Sequence, residues 1–176
     1  ITPAAARGIF AGGIVNTIDY ITIASTGDAT DFGDLTQAAY NFAGNVASST
    51  RALTAAEITI DYITIASTGN ATDFGNLTDA RYSLGGLSSP TRGVFGGGDT
   101  SPVTNIIDYI TIASTGNATD FGDLTTARFQ LTGCSNNTIG IFAGGGGAAG
   151  NIIDYITIAS AGNATDFGDL SEAFDA

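Results

Sequence analysis

The segment I-D-Y-I-T-I-A-S-x-G-x-A-T-D-F-G-x-L occurs four times in this chain, beginning at Ile18, Ile60, Ile107 and Ile153. Its aspartates Asp19, Asp61, Asp108 and Asp154 are separated by 42, 47 and 46 residues. A period of about 40–50 residues built from short β-type runs is the signature of a propeller blade, with solenoids as the main competitor. The expected fold is therefore all-β: a β-propeller of four-stranded antiparallel blades in a single repeat domain over residues 1–176, with units of roughly 1–36, 37–78, 79–125 and 126–176. Such a repeat fixes architecture far better than function.

Each unit parses into four runs separated by turn chemistry. In the third, residues 80–88 give a first strand, 93–97 a second, 106–114 a third and 118–124 a fourth. Val, Ile, Tyr, Phe and Thr concentrate inside the runs, and Gly, Asn, Asp and Ser fall between them. The third run is apolar on both faces, with Ile107, Tyr109 and Ala113 on one and Ile106, Ile110 and Ile112 on the other. Two-sided burial is what a sheet between two neighbouring sheets requires. Thr115-Gly116-Asn117 and its copies at 26–28 and 68–70 read as tight hairpin connections. Helix signals are nearly absent. The one capping-box match, Thr54 to Glu57, leads into alternating β-branched residues and reads as a loop.

Strands two, three and four occur in four copies, but strand one only in three, near 38–47, 80–88 and 127–135. A ring hides its sheet edges by pairing its chain ends. Closure would then fall to 171–176 or to 1–5, and the alternative is part of a larger ring. Because the chain opens at Ile1 with neither initiator Met nor signal peptide, a processed chain or a piece of a longer one is expected.

The charge pattern narrows the partners. Seventeen acidic residues face five arginines, with no lysine and no histidine, for a net charge of −12. Nucleic-acid phosphates and anionic lipid are thereby disfavoured. No run approaches the roughly 18 apolar residues of a membrane span, because each Ile-rich stretch contains an Asp. A neutral polar skin with an acidic bias suits a soluble protein in a virion or extracellular setting. The single cysteine, Cys134, excludes an intrachain disulfide and reads as a buried, inert thiol.

The order of residues resembles kelch repeats. An Arg opens the first strand (Arg81, Arg128), and an apolar run ends in a glycine pair (Phe10…Gly12-Gly13, Phe95…Gly97-Gly98, Phe142…Gly144-Gly145). A Tyr follows in the third strand (Tyr20, Tyr62, Tyr109, Tyr155), then a lone Phe before a Leu (Phe32/Leu35, Phe74/Leu77, Phe121/Leu124, Phe167/Leu170). Phe stands where kelch motifs usually carry Trp. The wording also resembles kelch-like repeat proteins of marine bacteriophages encoded beside tail and fibre genes. The second unit departs, with Arg51-Ala52-Leu53-Thr54 in place of the Gly-rich strand, so irregular geometry is expected there. The fourth has Ile139 in place of the Arg before its second strand, and the second has Ala39 in place of the Arg that opens the first. The resemblance implies a binding or structural propeller without a catalytic set of its own.

Candidate chemistry thins out on inspection. Asp-Phe-Gly at 31–33, 73–75, 120–122 and 166–168 spells a kinase magnesium motif, but no lysine exists to hold ATP phosphates. Its Phe is expected as a core plug and its Asp as a turn former. Gly145-x-Gly147-x-x-Gly150 precedes a strand, so no helix N-terminus receives a pyrophosphate. The acidic series Asp28/Asp31/Asp34, repeated at 70/73/76, 117/120/123 and 163/166/169, has spacing that suits turn capping better than Ca²⁺. Five Asn-x-Thr sequons, at Asn70, Asn76, Asn117, Asn136 and Asn163, follow from Asn/Thr-rich turns. Asp19, Asp61, Asp108 and Asp154 sit in apolar strands, where an unpaired carboxylate costs several kcal/mol. Pairs with Arg81, Arg128 or backbone N–H groups are expected.

Without His, Lys or a cysteine pair, the Ser-His-Asp, Cys-His and zinc chemistries are excluded, and only a glycosidase-like carboxylate pair survives. The expectation is a non-enzymatic structural and binding module of a virus particle, in a tail fibre or head decoration, with no cofactor and no metal. Its expected partners are host-surface glycan, other virion proteins or copies of itself, through loops 98–105 and 145–150. The alternatives are a self-assembling extracellular filament and a glycan-cleaving propeller.

Overall fold

A computed structural model describes residues 6–39, 43–147 and 150–173 of the chain. Every regular element among them is a strand. The first sheet runs in the order β1 (Arg7–Ala11), β2 (Thr17–Thr22), β3 (Thr30–Asp34). The second holds β4 (Gly44–Ala47), β5 (Arg51–Thr64) and β6 (Thr72–Arg81). The third is β7 (Gly85–Ser88), β8 (Arg92–Gly96), β9 (Ile106–Thr111) and β10 (Thr119–Asp123). The fourth is β11 (Thr132–Ser135), β12 (Ile139–Ala143), β13 (Ile152–Thr157) and β14 (Thr165–Asp169). All pairings within sheets are antiparallel between consecutive strands, which removes a parallel β-helix from the alternatives.

Three apolar clusters hold the sheets together, each drawing on two successive sheets. Ile18, Phe32 and Leu35 of the first sheet and its exit meet Ala56 and Ile63 of β5. Leu53, Ile60 and Phe74 meet Phe95, Ile110 and Ile112. Val94, Ile107 and Phe121 meet Phe142, Ile156 and Ile158. The sheets therefore stack face to face in chain order, and the two-sided apolar strand is its cause: Ile107, Ile110 and Ile112 are all buried.

The strands are shorter than the sequence runs. The first run of the third unit, read as 80–88, pairs with β8 only over Gly85–Ser88, while Arg81 ends β6 opposite Glu57 and Tyr82 bridges Asp99. Of its counterpart at 38–47, residues 40–42 lie outside the described residues, as do 1–5, 148–149 and 174–176.

The second unit keeps the common plan despite its different wording. A fully extended run the length of β5 would span about 45 Å, yet the Ile65 N–H donates to the Thr50 carbonyl at 2.9 Å. The same bond joins Ile112 to Thr91 and Ile158 to Thr138. β5 is therefore a hairpin folded on itself, and Glu57, at φ +56°, sits in the left-handed conformation where it turns. The expected irregularity takes the form of this reversal and of a second register shift, between Glu57 and Thr59, that the other sheets lack; the loop expected at Thr54–Glu57 is corrected, since both residues lie in β5.

Thr-Gly-Asn is likewise no two-residue hairpin. Residues 112–118 separate β9 from β10, because the segment reaches out to the preceding sheet.

Candidate functional site

Each junction between sheets carries the same polar set. The connection after the third strand lays its glycine N–H on the Phe carbonyl of the preceding sheet: Gly69 on Phe32 at 2.7 Å, Gly116 on Phe74 at 2.8 Å, Gly162 on Phe121 at 2.6 Å. Two residues on, Ala71, Ala118 and Ala164 donate to the carbonyls of Asp34, Asn76 and Asp123, each at 2.8 Å. In return the amides of Asp34, Asn76 and Asp123 donate to the side-chain oxygens of Asn70, Asn117 and Asn163 at 3.1–3.2 Å. The acidic series expected to cap turns is thus split. Its first member clamps two sheets, and Asp31, Asp73, Asp120 and Asp166 are exposed.

The glycine of Asp-Phe-Gly serves the same junction. A Cβ on Gly33, Gly75 or Gly122 would fall 2.5–2.6 Å from the backbone of Gly69, Gly116 or Gly162. The residue is also held at φ +139° to +145°, where L side chains rarely go.

A second clamp was not legible beforehand. Arg7, Arg51 and Arg92 lie with their guanidinium carbons 4.4–4.7 Å from the ring centroids of Tyr20, Tyr62 and Tyr109. Each then donates to a carbonyl of the following sheet, at Ile65, Ile112 and Ile158, over 2.7–2.9 Å.

Three of the aspartates of the apolar strands find the expected partners, two of them an arginine and Asp61 a backbone N–H. Asp108 accepts from Arg81 NH1 at 2.9 Å and from the Thr78 Oγ1 and N–H at 2.6 and 3.1 Å. Asp154 lies 3.0 Å from Arg128 NH2 in an ion pair and accepts from the corresponding groups of Thr125 at 2.6 and 3.2 Å, while Arg128 NH2 donates to the Phe142 carbonyl at 3.2 Å. Both ion pairs are fully buried. Burial pulls the Arg128 guanidinium below its usual value, against the opposing pull of Asp154.

Asp61 has the threonine but, with Ala39 in the arginine position, no cation. Thr36 donates to it from N–H at 2.8 Å and from Oγ1 at 2.8 Å. Burial pushes its carboxyl above the ordinary range, more than the Thr36 hydrogen bonds pull it back, and Asp73 adds to the rise. A carboxyl raised in the folded state contributes stability that is complete below its unfolded pKa, about 4, and fades as pH climbs through the folded value. Asp61→Asn should remove that dependence. Denaturant titrations from about pH 4 upward are expected to show wild type losing ground to the variant, and parallel profiles would contradict the assignment.

Beside the first sheet lies a cleft of 660 Å³. Among the described residues β1 pairs with β2 on one side only, and its residues Arg7, Ile9, Phe10 and Ala11 line this cleft. The floor is built from equivalent triplets of the short inner strands: 45–47 of β4, 86–88 of β7 and 133–135 of β11. Those strands approach so closely that a Cβ on Gly86 would lie 2.4 Å from the Asn45 carbonyl oxygen, and one on Gly133 2.3 Å from that of Gly86. Ser88 and Ser135 bridge them, with Ser88 Oγ donating to the Ala47 carbonyl at 2.8 Å and Ser135 Oγ to the Ser88 carbonyl at 2.6 Å. Arg7, Phe10 and Asp19 form the opposite wall.

Cys134 belongs to this floor and is exposed, which corrects the expectation of a buried thiol. Its small neighbours reflect close backbone packing and not an enclosed core. Chemically the cleft offers hydroxyls, an amide, one guanidinium, one carboxylate and an apolar wall. That set binds neutral polar or extended peptide-like groups but supplies no general base of the His or Lys type. Among the described residues, no group of three or more His, Cys, Asp or Glu is placed to hold a metal ion. No protein-family model matches the chain, and no curated protein matches it either.

Proposed function

We propose that this chain is a non-enzymatic structural and binding module of a virus particle, in a tail fibre or head decoration, and that its four sheets are kelch-like propeller blades. Its contacts are host-surface glycan or other virion proteins. The observation that carries the non-enzymatic reading is how the recurring polar residues are used. Asp61, Asp108 and Asp154 of the apolar strands, with Arg81, Thr36, Thr78, Thr125 and the clamping asparagines, are occupied in joining one sheet to the next, while the repeated Asp31, Asp73, Asp120 and Asp166 are exposed. Asp61, Asp108 and Asp154 are buried with their oxygens engaged, so they are poor candidates for a glycosidase carboxylate pair, which must flank a substrate. The particle setting rests on the resemblance in wording.

For glycan, the 660 Å³ cleft is the favoured receptor. It is concave and of mixed polarity, as small-ligand sites are. Incubating the protein with a panel of host-surface polysaccharides tests this. Retention without new reducing ends is the expected result. Released sugar would overturn the non-enzymatic reading, and failure to retain any glycan would leave virion proteins as the partner class.

A further inference from the structure

The first and fourth sheets carry the two halves of a junction that the described residues make three times. We infer that they join head to tail, the face of the fourth sheet docking on the first sheet of a second copy of this chain. This goes beyond the proposed function and holds whether or not the particle setting is right.

The uncovered residues are the ones that the internal junctions cover. Phe32, Phe74 and Phe121 are 2–3% exposed beneath the following sheet, whereas Phe167 is 64% exposed. On the receiving side Ile112 and Ile158 are 2% and 1% exposed and Ile65 is half-buried, whereas their counterpart Ile23 is 64% exposed. The backbone repeats the contrast. A Cβ on Gly168 would meet nothing within 4 Å, although its φ of +137° matches Gly33, Gly75 and Gly122.

Both ends keep the groups that the internal junctions use. The carbonyls of Phe167 and Asp169 stand where those of Phe121 and Asp123 accept from Gly162 and Ala164. Gly27 and Ala29 are the matching donors on the first sheet. Ser171 takes the place of the threonine opposite Asp19, and Asp28 the place of the clamping asparagine. Ile139 replaces the arginine clamp with an apolar side chain, facing an exposed Ile23. A second copy is the occupant because its first sheet carries the donors and the apolar knob that match the fourth sheet's acceptors and Phe167, in the register of the internal junctions. The union is heterologous, so it closes into a ring if its rotation allows and runs into a filament otherwise.

One pair is worse than its internal counterparts. Asp28 would meet the Asp169 end of β14, where Asn70, Asn117 and Asn163 make the neutral contact. The association should therefore strengthen with salt, which screens the like charges.

Mass measured by light scattering or sedimentation over a dilution series tests this. Wild type should exceed the monomer mass and dissociate on dilution. Phe167→Asp and Ile23→Asp should each be monomeric and still fold cooperatively, Phe167→Asp melting slightly lower for the lost Tyr155 contact. Mixed together they should form a one-to-one pair, since each retains one good face. Asp28→Asn should tighten assembly by about two- to fivefold. The inference is overturned by a wild-type monomer at every concentration, by a monomer in which Phe167 is protected through closure within one chain, by assembly that survives either Asp variant, or by a mixture that stays monomeric. Glycan retention by a monomer would leave the proposed function standing while this inference fell.

Discussion

Phe121→Ala is expected to cost about 3–5 kcal/mol of folding stability, and Phe167→Ala about 1 kcal/mol or less. The two residues sit in the same motif on equivalent strands. Each makes the same edge-on contact with a tyrosine of its own sheet, Tyr109 at 5.9 Å and Tyr155 at 6.0 Å between ring centroids. What differs is the neighbour. Phe121 is buried against Phe142, Ile156 and Ile158 of the fourth sheet, and Ala164 packs on the same cluster. Phe167 has no such cover within one copy. Truncating Phe121 thus removes a buried ring and leaves a cavity between two sheets, which cannot collapse without breaking the Gly162 and Ala164 hydrogen bonds. Truncating Phe167 removes one exposed aromatic contact, worth about 0.5–1.5 kcal/mol at most. Chemical denaturation of dilute, monomeric protein checks both. Equal losses would mean that the sheets do not bury one another in series.

That contrast also marks how far the sequence can be read. The four-fold wording announced short strands, and the apolar character of both faces of Ile106–Ile112 announced a sheet covered on both sides. A carboxylate inside such a strand needs a partner, so the pairing of Asp108 with Arg81 and Asp154 with Arg128 was legible from chemistry alone. Burial of a given copy was not. Phe167 carries the same local sequence as Phe121, and only the presence of a next sheet decides between plug and surface.

The residues that sequence reasoning missed all act across sheets. Asn70, Asn117 and Asn163 look like turn formers because Asn favours turns, yet their oxygens serve the neighbouring backbone. Arg7, Arg51 and Arg92 recur before the second strand, and their absence at Ile139 was the one available signal that they form a set. Their acceptors are backbone carbonyls, which leave no mark in a sequence. The loop reading at Thr54–Glu57 misled for a related reason. The Gly-rich connection is a property of a long loop, and β5 turns through Glu57 without needing it.

Arg81→Met is expected to lose about 3–5 kcal/mol, because it strands a buried carboxylate. Asp108 would keep the two Thr78 donors, but its charge would stand beside its cross-strand neighbour Phe95 in a buried site without a cation. The guanidinium also donates from Nε to the Gly97 carbonyl at 2.9 Å, so a second acceptor is orphaned. Adding Asp108→Leu to the variant should recover part of the loss, since a matched apolar pair avoids the desolvation that both ions suffer. Recovery will be incomplete, as Thr78 then loses its acceptor and must turn to solvent at its exposed position. The second unit supplies the natural comparison: Ala39 and Asp61 are the same site without its cation, and there the carboxyl is already pushed upward. The stability that Arg81→Met forfeits should be smallest in acid and largest near neutral pH, since a buried carboxyl without its cation costs least when uncharged. A loss independent of pH would show that the arginine acts through its packing and its carbonyl bonds, and that its charge is irrelevant to the fold.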